Sequence, residues 1–276
     1  MAPRWAFPEF EDVPAEFRVA TAFDSDIARL IDALKSLSLA ARPKVVLLLD
    51  EIERLLPTAL GKADFTGFFD FFSYVRGLNQ ERPEFVVIVT GANASLTETA
   101  QFDGRDNPVF NYFKEIYLSH LESKECGRMI ATLGRGMGLK FTNEALDRIY
   151  ELTGGHPFFA RQLCSYIGET FRVRPFSVTV SNVLSVVDNY LDLRSSHFAE
   201  IIERLRRDYP DELKVCEELA RAGGVLPLKQ VRRFGNGETI KHLTGYQIVR
   251  IQDGRVKVSM QLLTKWLQKR GYDVHD

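Results

Sequence analysis

Apolar positions along the chain follow two regimes, and the change between them falls near residue 118. In the first regime, Ile27, Leu30, Ile31 and Leu34 recur at three- and four-residue spacing behind Asp24, Ser25 and Asp26. This predicts a helix over 24–39 with several choices of N-cap. Two short apolar runs follow, Val45-Val46-Leu47-Leu48-Leu49 and Phe85-Val86-Val87-Ile88-Val89. Continuous runs of this length, rich in branched residues, predict parallel strands buried on both faces. Between them, Phe68, Phe69, Phe71, Phe72 and Val75 are spaced to lay one side of a crossover helix over a sheet, giving a βαβ unit. A third run, Glu115-Ile116-Tyr117-Leu118, predicts another strand of the same sheet.

After residue 118 the spacing becomes helical, with helices predicted over 123–137, 142–153 and 157–171. Gly154 or Gly155 supplies a C-cap, and Pro157 suits the first turn of the next helix, where its missing N–H costs nothing. A polar link and a helix over 180–191 lead into helices over 211–222, 227–234 and 238–244. Alternation over 247–259 around Asp253-Gly254 predicts a two-residue hairpin, and a closing helix over 261–271 carries Trp266. Three helices with a hairpin is the layout of a winged helix. The first 20 residues, with Pro3, Pro8 and Pro14, read as irregular.

Composition narrows the classes. Of 276 residues, 45% are hydrophobic and 26% charged, which excludes a disordered or collagen-like chain. Cys126, Cys164 and Cys216 are odd in number and far apart, so they form neither a disulfide framework nor a CxxC metal pair. The N-terminal residues hold no uninterrupted apolar stretch of the signal-peptide kind, and no apolar run approaches the roughly 18–20 residues of a membrane span. These absences predict a cytoplasmic protein with no membrane partner. Net charge is −1, but unevenly spread. Residues 1–118 hold 12 basic and 18 acidic side chains, whereas 229–270 hold ten bases against Glu238 and Asp253 alone. Such a skew fits a nucleic-acid surface, an acidic partner, or docking of the tail on the acidic front half.

The stretch at 45–51 carries the most chemistry. An apolar strand ending in Asp50-Glu51 resembles the Walker B motif of P-loop NTPases. There the first carboxylate holds Mg²⁺ at the strand's C-terminal edge and the second orients or deprotonates the attacking water. That assigns Asp50 to the metal and Glu51 to the catalytic base. The plainer alternative is a buried strand that ends at solvent-exposed acids. Other chemistries lack a signature: His120, His156, His197, His242 and His275 form no HExxH or His/Cys cluster, and no GxSxG elbow occurs.

The order of motifs makes the whole chain resemble the STAND and archaeal-ATPase branch of AAA-like P-loop NTPases. The resemblance rests on the run from Val45 to Leu56, the second strand with Thr90 at its end and Asn93 beyond, the segment Asn107-Pro108-Val109-Phe110-Asn111, and Gly155-His156-Pro157. It implies an α/β fold with three parts: a partial nucleotide-binding domain over 1–118, a helical lid over 119–190 and a winged helix over 191–276. It implies a sensor role for Thr90 or Asn93, contact of Gly155 and Pro157 with adenine, and contact of His156 and Arg161 with phosphates. Each has a structural alternative: a strand end, a helix-to-helix turn with an N1 proline, and a solvated helix face. ATP and Mg²⁺ are the implied cofactors. Other domains or copies of the same protein and a protein effector are the implied partners, with DNA as an alternative.

One part of the pattern is missing. A phosphate loop needs Gly-x-x-x-x-Gly-Lys-Ser/Thr, whose glycines let backbone N–H groups wrap the phosphates. No glycine precedes Gly61, and Gly61-Lys62 is followed by Ala63 and lies after the Walker B strand. Two expectations follow: the back part of a longer ATPase, or a pseudo-ATPase that kept the scaffold. Without the loop, tight ATP binding and autonomous hydrolysis by this chain are not expected. In the winged-helix alternative, the helix at 237–244 would enter the DNA groove with Lys241 and His242, while Arg232, Arg233, Arg250, Arg255 and Lys257 touch phosphates.

Overall fold

The computed structural model describes residues 20–36, 44–55, 67–91, 95–102 and 104–270. The prolines of the first segment, Gly61-Lys62 and Asn93 lie outside the described residues. The chain divides into two compact units, residues 1–115 and 116–276.

The first unit opens with helix α1 (Ala20–Ser36), followed by strand β1 (Val45–Leu49) and a single 3₁₀ turn over Ile52–Leu55. Helix α2 (Phe68–Glu81) then crosses to strand β2 (Phe85–Val89), and the two strands pair in parallel from Val45↔Phe85 to Leu49↔Val89. The expected strand–helix–strand unit is thus present. One side of the strand pair is packed. Ile31 of α1 joins Val75 and Leu78 of α2 and Phe85, with Val45, Leu47 and Val87 against them. Phe68, Phe69 and Phe72 form a second cluster with Ile52, Leu96 and Val109. A short helix α3 (Ser95–Glu98) and a two-residue ladder of β3 (Gln101–Phe102) with β4 (Arg105–Asp106) complete the unit.

Two expectations are corrected here. Burial of the strands on both faces does not hold: Val46, Leu48 and Ile88 are 48%, 70% and 47% exposed. Among the described residues α1 and α2 pack against one side only, so burial alternates along β1 with the period-2 pleat, while on β2 Ile88 alone is exposed. The strand expected at 115–118 does not form either. Ile116 and Leu118 are 78% and 88% exposed, and no described strand pairs with them. An apolar run without a neighbouring ladder has nowhere to place its N–H and C=O groups in register. Tyr117 instead meets Tyr246 edge-on, with ring centroids 5.3 Å apart.

The second unit starts with α4 (Ser123–Gly136), β5 (Leu139–Phe141), α5 (Asn143–Thr153), α6 (Pro157–Thr170), β6 (Phe176–Val178) and α7 (Val180–Leu193). Strands β5 and β6 pair in parallel. Next come α8 (Ser195–Asp208), α9 (Pro210–Arg221), β7 (Val225–Pro227), α10 (Leu228–Val231), α11 (Gly237–Gly245), β8 (Val249–Gln252), β9 (Arg255–Val258) and α12 (Gln261–Lys269). The last three strands form an antiparallel sheet in the order β7-β9-β8, with Asp253-Gly254 at the hairpin turn as expected. The helical spacing does not foresee helix α8 or strands β5, β6 and β7, and the helix expected over 227–234 shrinks to α10. One hydrophobic cluster runs from Cys126 to Leu267 and draws on helices throughout the unit. Phe159, Phe198 and Trp266 stack in series within it, with centroids 4.7 and 6.0 Å apart. All three cysteines are buried and free.

Candidate functional site

The parallel register brings Asp50 and Thr90 together. Because Leu49 lies opposite Val89, both strands end at the same level. The Thr90 N–H continues the ladder to the Leu49 carbonyl at 2.8 Å, and the Ile52 N–H reaches the Thr90 carbonyl at 3.1 Å. Ile52 is buried in the phenylalanine cluster, which anchors the turn beyond Asp50. Between these anchors Glu51 adopts a left-handed conformation with φ of 53°. That is uncommon for a residue with a Cβ.

This geometry fixes the Asp50 carboxylate. Its Oδ1 accepts a short hydrogen bond from the Thr90 hydroxyl and another from the Glu51 N–H at 2.9 Å. The Thr90 hydroxyl, and after it the Glu51 N–H, hold the carboxyl below the ordinary aspartate range, so Asp50 is ionised at neutral pH. Both bonds fall on Oδ1. Oδ2 has no partner among the described residues, and Glu51 beside it is also exposed. The donor set is two neighbouring carboxylates and a hydroxyl. It fits magnesium, which takes hard oxygen ligands and commonly uses one or two carboxylates while waters and substrate phosphates fill the rest. No cluster of three or more His, Cys, Asp or Glu residues suited to a closed metal cage occurs among the described residues.

The remaining expected residues belong to the second unit. Gly154 ends α5 in the left-handed conformation, φ 62°, with its N–H on the Tyr150 carbonyl at 2.7 Å. Gly155 follows at φ 77°, His156 caps α6, and Pro157 opens that helix as expected. Gly155 has no room for a side chain: a Cβ there would lie 2.1 Å from the Leu121 carbonyl oxygen. The Leu121 N–H in turn donates to the Gly155 carbonyl at 3.0 Å. The Gly154 carbonyl accepts from Arg250 at 2.8 Å and lies 3.1 Å from His120 Nδ1, while Arg250 also reaches the Tyr150 hydroxyl at 3.2 Å. The turn is thereby clamped by 120–121 on one side and by strand β8 on the other.

His156 packs against His120 with ring centroids 4.8 Å apart. Burial first, and the neighbouring His120 second, push its pKa down to about 4, so it is a neutral imidazole at pH 7. Its Nδ1 is buried without a hydrogen-bond partner among the described residues. His120 is likewise shifted down by burial, against the opposing effect of the Gly154 carbonyl. Pro157 and Arg161 are exposed. Arg161 lines an apolar groove of 460 Å³ between α4 and α6 with Leu133, Met137 and Phe158. The expected residues thus form two groups, Asp50–Glu51–Thr90 in one unit and Gly155–His156–Pro157–Arg161 in the other, and each is defined within its own unit.

Sequence reasoning missed two features. One is the use of Arg250 and His120 on the Gly154 carbonyl. The other is a buried pair, His242 Nδ1 at 2.8 Å from Glu212 Oε1, with both side chains less than a tenth exposed. His242 therefore faces α9 rather than solvent, which corrects its expected place on a groove-reading surface. No local pattern marks either feature.

No protein-family model matches the chain, and neither does any curated protein sequence. Solved structures do. The Walker-type ATPase PABY2304 of Pyrococcus abyssi is 12% identical and superposes with a TM-score of 0.52, over 90% of this chain and 77% of that one. The RuvB Holliday junction branch migration motor of Thermotoga maritima is 17% identical over 85% of this chain and 71% of that one, at a TM-score of 0.37. At such identities the likeness is one of fold. The chain has an α/β fold of the P-loop NTPase kind, with a parallel strand pair and many helices, and no described helix is long and apolar enough to cross a membrane.

Proposed function

We propose that this chain is the ATPase-derived switch module of a STAND-like signalling NTPase, with the Asp50–Glu51 edge as its metal and catalytic edge. The observation that carries the reading is the exposed Asp50 carboxylate, pinned through Oδ1 by Thr90 and the Glu51 N–H at the end of a parallel strand pair. The name of the Pyrococcus neighbour, a Walker-type ATPase, supports the same lineage. Magnesium, when bound with ATP, supplies charge neutralisation on the phosphates. Asp50 holds its charge towards that ion. Thr90 keeps Asp50 in one rotamer, and Glu51 accepts the proton of the attacking water. The phosphate-wrapping loop has no counterpart in the 276 residues, so the wrapping must come from another segment or chain. The resemblance gives the Gly155-His156-Pro157 turn a role in adenine contact, and the sheet β7-β9-β8 with α9, α10 and α11 is read as the winged helix. Nucleotide state then sets how these parts associate with one another, with further copies, or with an effector.

The test is ATP with Mn²⁺ as a paramagnetic stand-in for magnesium, followed by NMR on the full chain. Weak, millimolar-range binding is expected, with broadening centred on residues 50, 51 and 90 and lost in Asp50→Asn. Micromolar binding that survives Asp50→Asn would place the nucleotide elsewhere and defeat the proposal. So would broadening that spares residues 50 and 90.

A further inference from the structure

The second unit carries a cationic surface that its own fold leaves unpaired. Along β9, Arg255 and Lys257 are exposed while Val256 and Val258 between and after them are buried. The pleat therefore sets both cations on the solvent face, two residues or about 6.8 Å apart. Register extends that face. Lys257 lies opposite Arg250 on β8 and Val225 on β7, and Arg255 lies opposite Gln252 and Pro227. No carboxylate occupies the face at these positions. The Leu228 N–H donates to the Gly254 carbonyl at 2.9 Å, which sets the start of α10 against the hairpin turn. Lys229, and Arg232 and Arg233 just beyond α10, add three exposed cations there.

These cations have no internal job. Lys229, Arg232, Arg233, Arg255 and Lys257 make no side-chain hydrogen bond or ion pair among the described residues. Other bases of the unit are engaged: Lys269 pairs with Asp192 at 2.7 Å, Arg250 holds the Gly154 carbonyl, and Arg270 lies over the Trp266 ring. The neighbouring helix α11 offers little for reading bases, since His242 is buried against Glu212 and Thr239, Ile240 and Leu243 face the core.

We infer that the outer face of β7-β9-β8, with the adjoining α10 turn, binds the phosphate backbone of duplex nucleic acid without reading sequence. Arg255 and Lys257 form its centre. Arg255 and Lys257 have no acid between them, and one exposed carboxylate, Asp253 at the hairpin turn, stands against the five unpaired cations; such a row of like charges at strand spacing matches a polymer of regularly spaced phosphates. An acidic protein segment would also need apolar anchors to hold its register, and the face presents none beyond Val225 and Pro227. The inference is independent of nucleotide binding in the first unit.

Fluorescence anisotropy of the full chain with a labelled random-sequence duplex, at several salt concentrations between about 50 and 200 mM, tests it. Binding should fall linearly in a log–log plot and should not distinguish duplexes of different sequence. Arg255→Glu/Lys257→Glu should weaken binding roughly tenfold or more, and should reduce the slope by about 2. Arg255→Gln/Lys257→Gln, checked for an unchanged circular-dichroism melt, should give a smaller loss in the same direction. Lys241→Ala on α11 and Lys140→Glu on β5 should each stay within about twofold of the parent affinity, since neither lies on the proposed face. The inference is overturned by absence of binding at the lowest salt or by equal affinity of the double variants. It is overturned too by a larger loss in Lys241→Ala, which would put the contact on the helix. Displacement of the duplex by poly-glutamate at equal charge concentration would mean an acidic protein is the partner, and would also overturn it.

Discussion

The two units differ in how completely their secondary structure is covered. In residues 116–276 every long helix contributes to one continuous core, and the Gly154-Gly155 turn is packed on both sides: a Cβ on Gly154 would meet the Ser259 carbonyl at 2.5 Å and one on Gly155 the Leu121 carbonyl. In residues 1–115 the described core is split into two small clusters, and the strand pair has one packed side and one open side. The unit with the carboxylates is thus the one-sided one. A parallel sheet ordinarily has helices on both faces, because each strand must satisfy two apolar surfaces. On the open side, Val46, Leu48 and Ile88 have no helix packed over them among the described residues.

The largest expected effects break this comparison if it is wrong. Phe72→Ala, on the packed side of the first unit, should cost about 3–5 kcal/mol in the hydrogen-exchange stability of the β1 and β2 amides. Phe198→Ala should cost a similar amount for the amides of α6 and α9, because Phe198 stacks between Phe159 and Trp266. Leu48→Thr, on the open side, should change the β1 amides by no more than about 0.5 kcal/mol. A Leu48→Thr cost comparable with that of Phe72→Ala would show the open side to be covered in solution.

Legibility divides along a similar line. The strand pair, the crossover helix, the Gly154 cap, the N1 position of Pro157 and the Asp253-Gly254 turn were readable, because each is written in local periodicity or in the backbone needs of one or two residues. Helix α8 was also written locally, as Phe198, Ile202 and Leu205 at four- and three-residue spacing, but the charges around them, from Glu200 to Arg207, outnumber the apolar positions, and the sequence reading places no element between 191 and 211. Strand β7 is only three residues long and ends in proline, too short for a period to register. What the pattern cannot contain is the identity of distant partners. Arg250 lies 96 residues from Gly154, and His242 lies 30 from Glu212; only the packed fold decides that these polar groups meet. The family resemblance singled out Asp50 and Thr90 separately, but their pairing across 40 residues is likewise a product of the packed fold.

A middle-sized effect should appear with pH in the second unit. His156 has a native pKa of about 4, against an ordinary histidine value of about 6.5 in the unfolded chain. Between those values the unfolded chain binds a proton that the native one does not, so stability rises with pH across the window and is lost as pH falls from about 6.5 towards 4. His120, shifted in the same direction, adds to the trend. The thermal midpoint of the parent should therefore drop between pH 7 and pH 4.5 more steeply than that of His156→Gln. Whatever the substitution does at neutral pH, the slope reports the imidazole. Parallel slopes would mean that His156 titrates normally and is not buried as its packing against His120 and Phe159 requires.

The smallest expected effect lies at the carboxylate edge, where the first unit's chemistry meets solvent. Asp50 is exposed, so its interactions are screened by water and are better read as a titration than as a stability. Thr90→Val keeps the β-branched shape while removing the donor that contributes most to the lowered pKa. The Asp50 carboxyl should then titrate nearer its ordinary value, though still below it, because the Glu51 N–H remains on Oδ1. The sign is fixed by linkage. A carboxylate with a depressed native pKa adds stability that is present above its unfolded pKa and is lost as pH falls through the native one, so the variant gives up part of that contribution at neutral pH. Carbon-detected NMR of the Asp50 side chain across the acid range measures the shift directly. An unchanged titration would separate Thr90 from Asp50 in solution and leave the carboxylate held by backbone alone. The carboxylate would then be free to swing, and the fixed edge on which the magnesium reading depends would be lost.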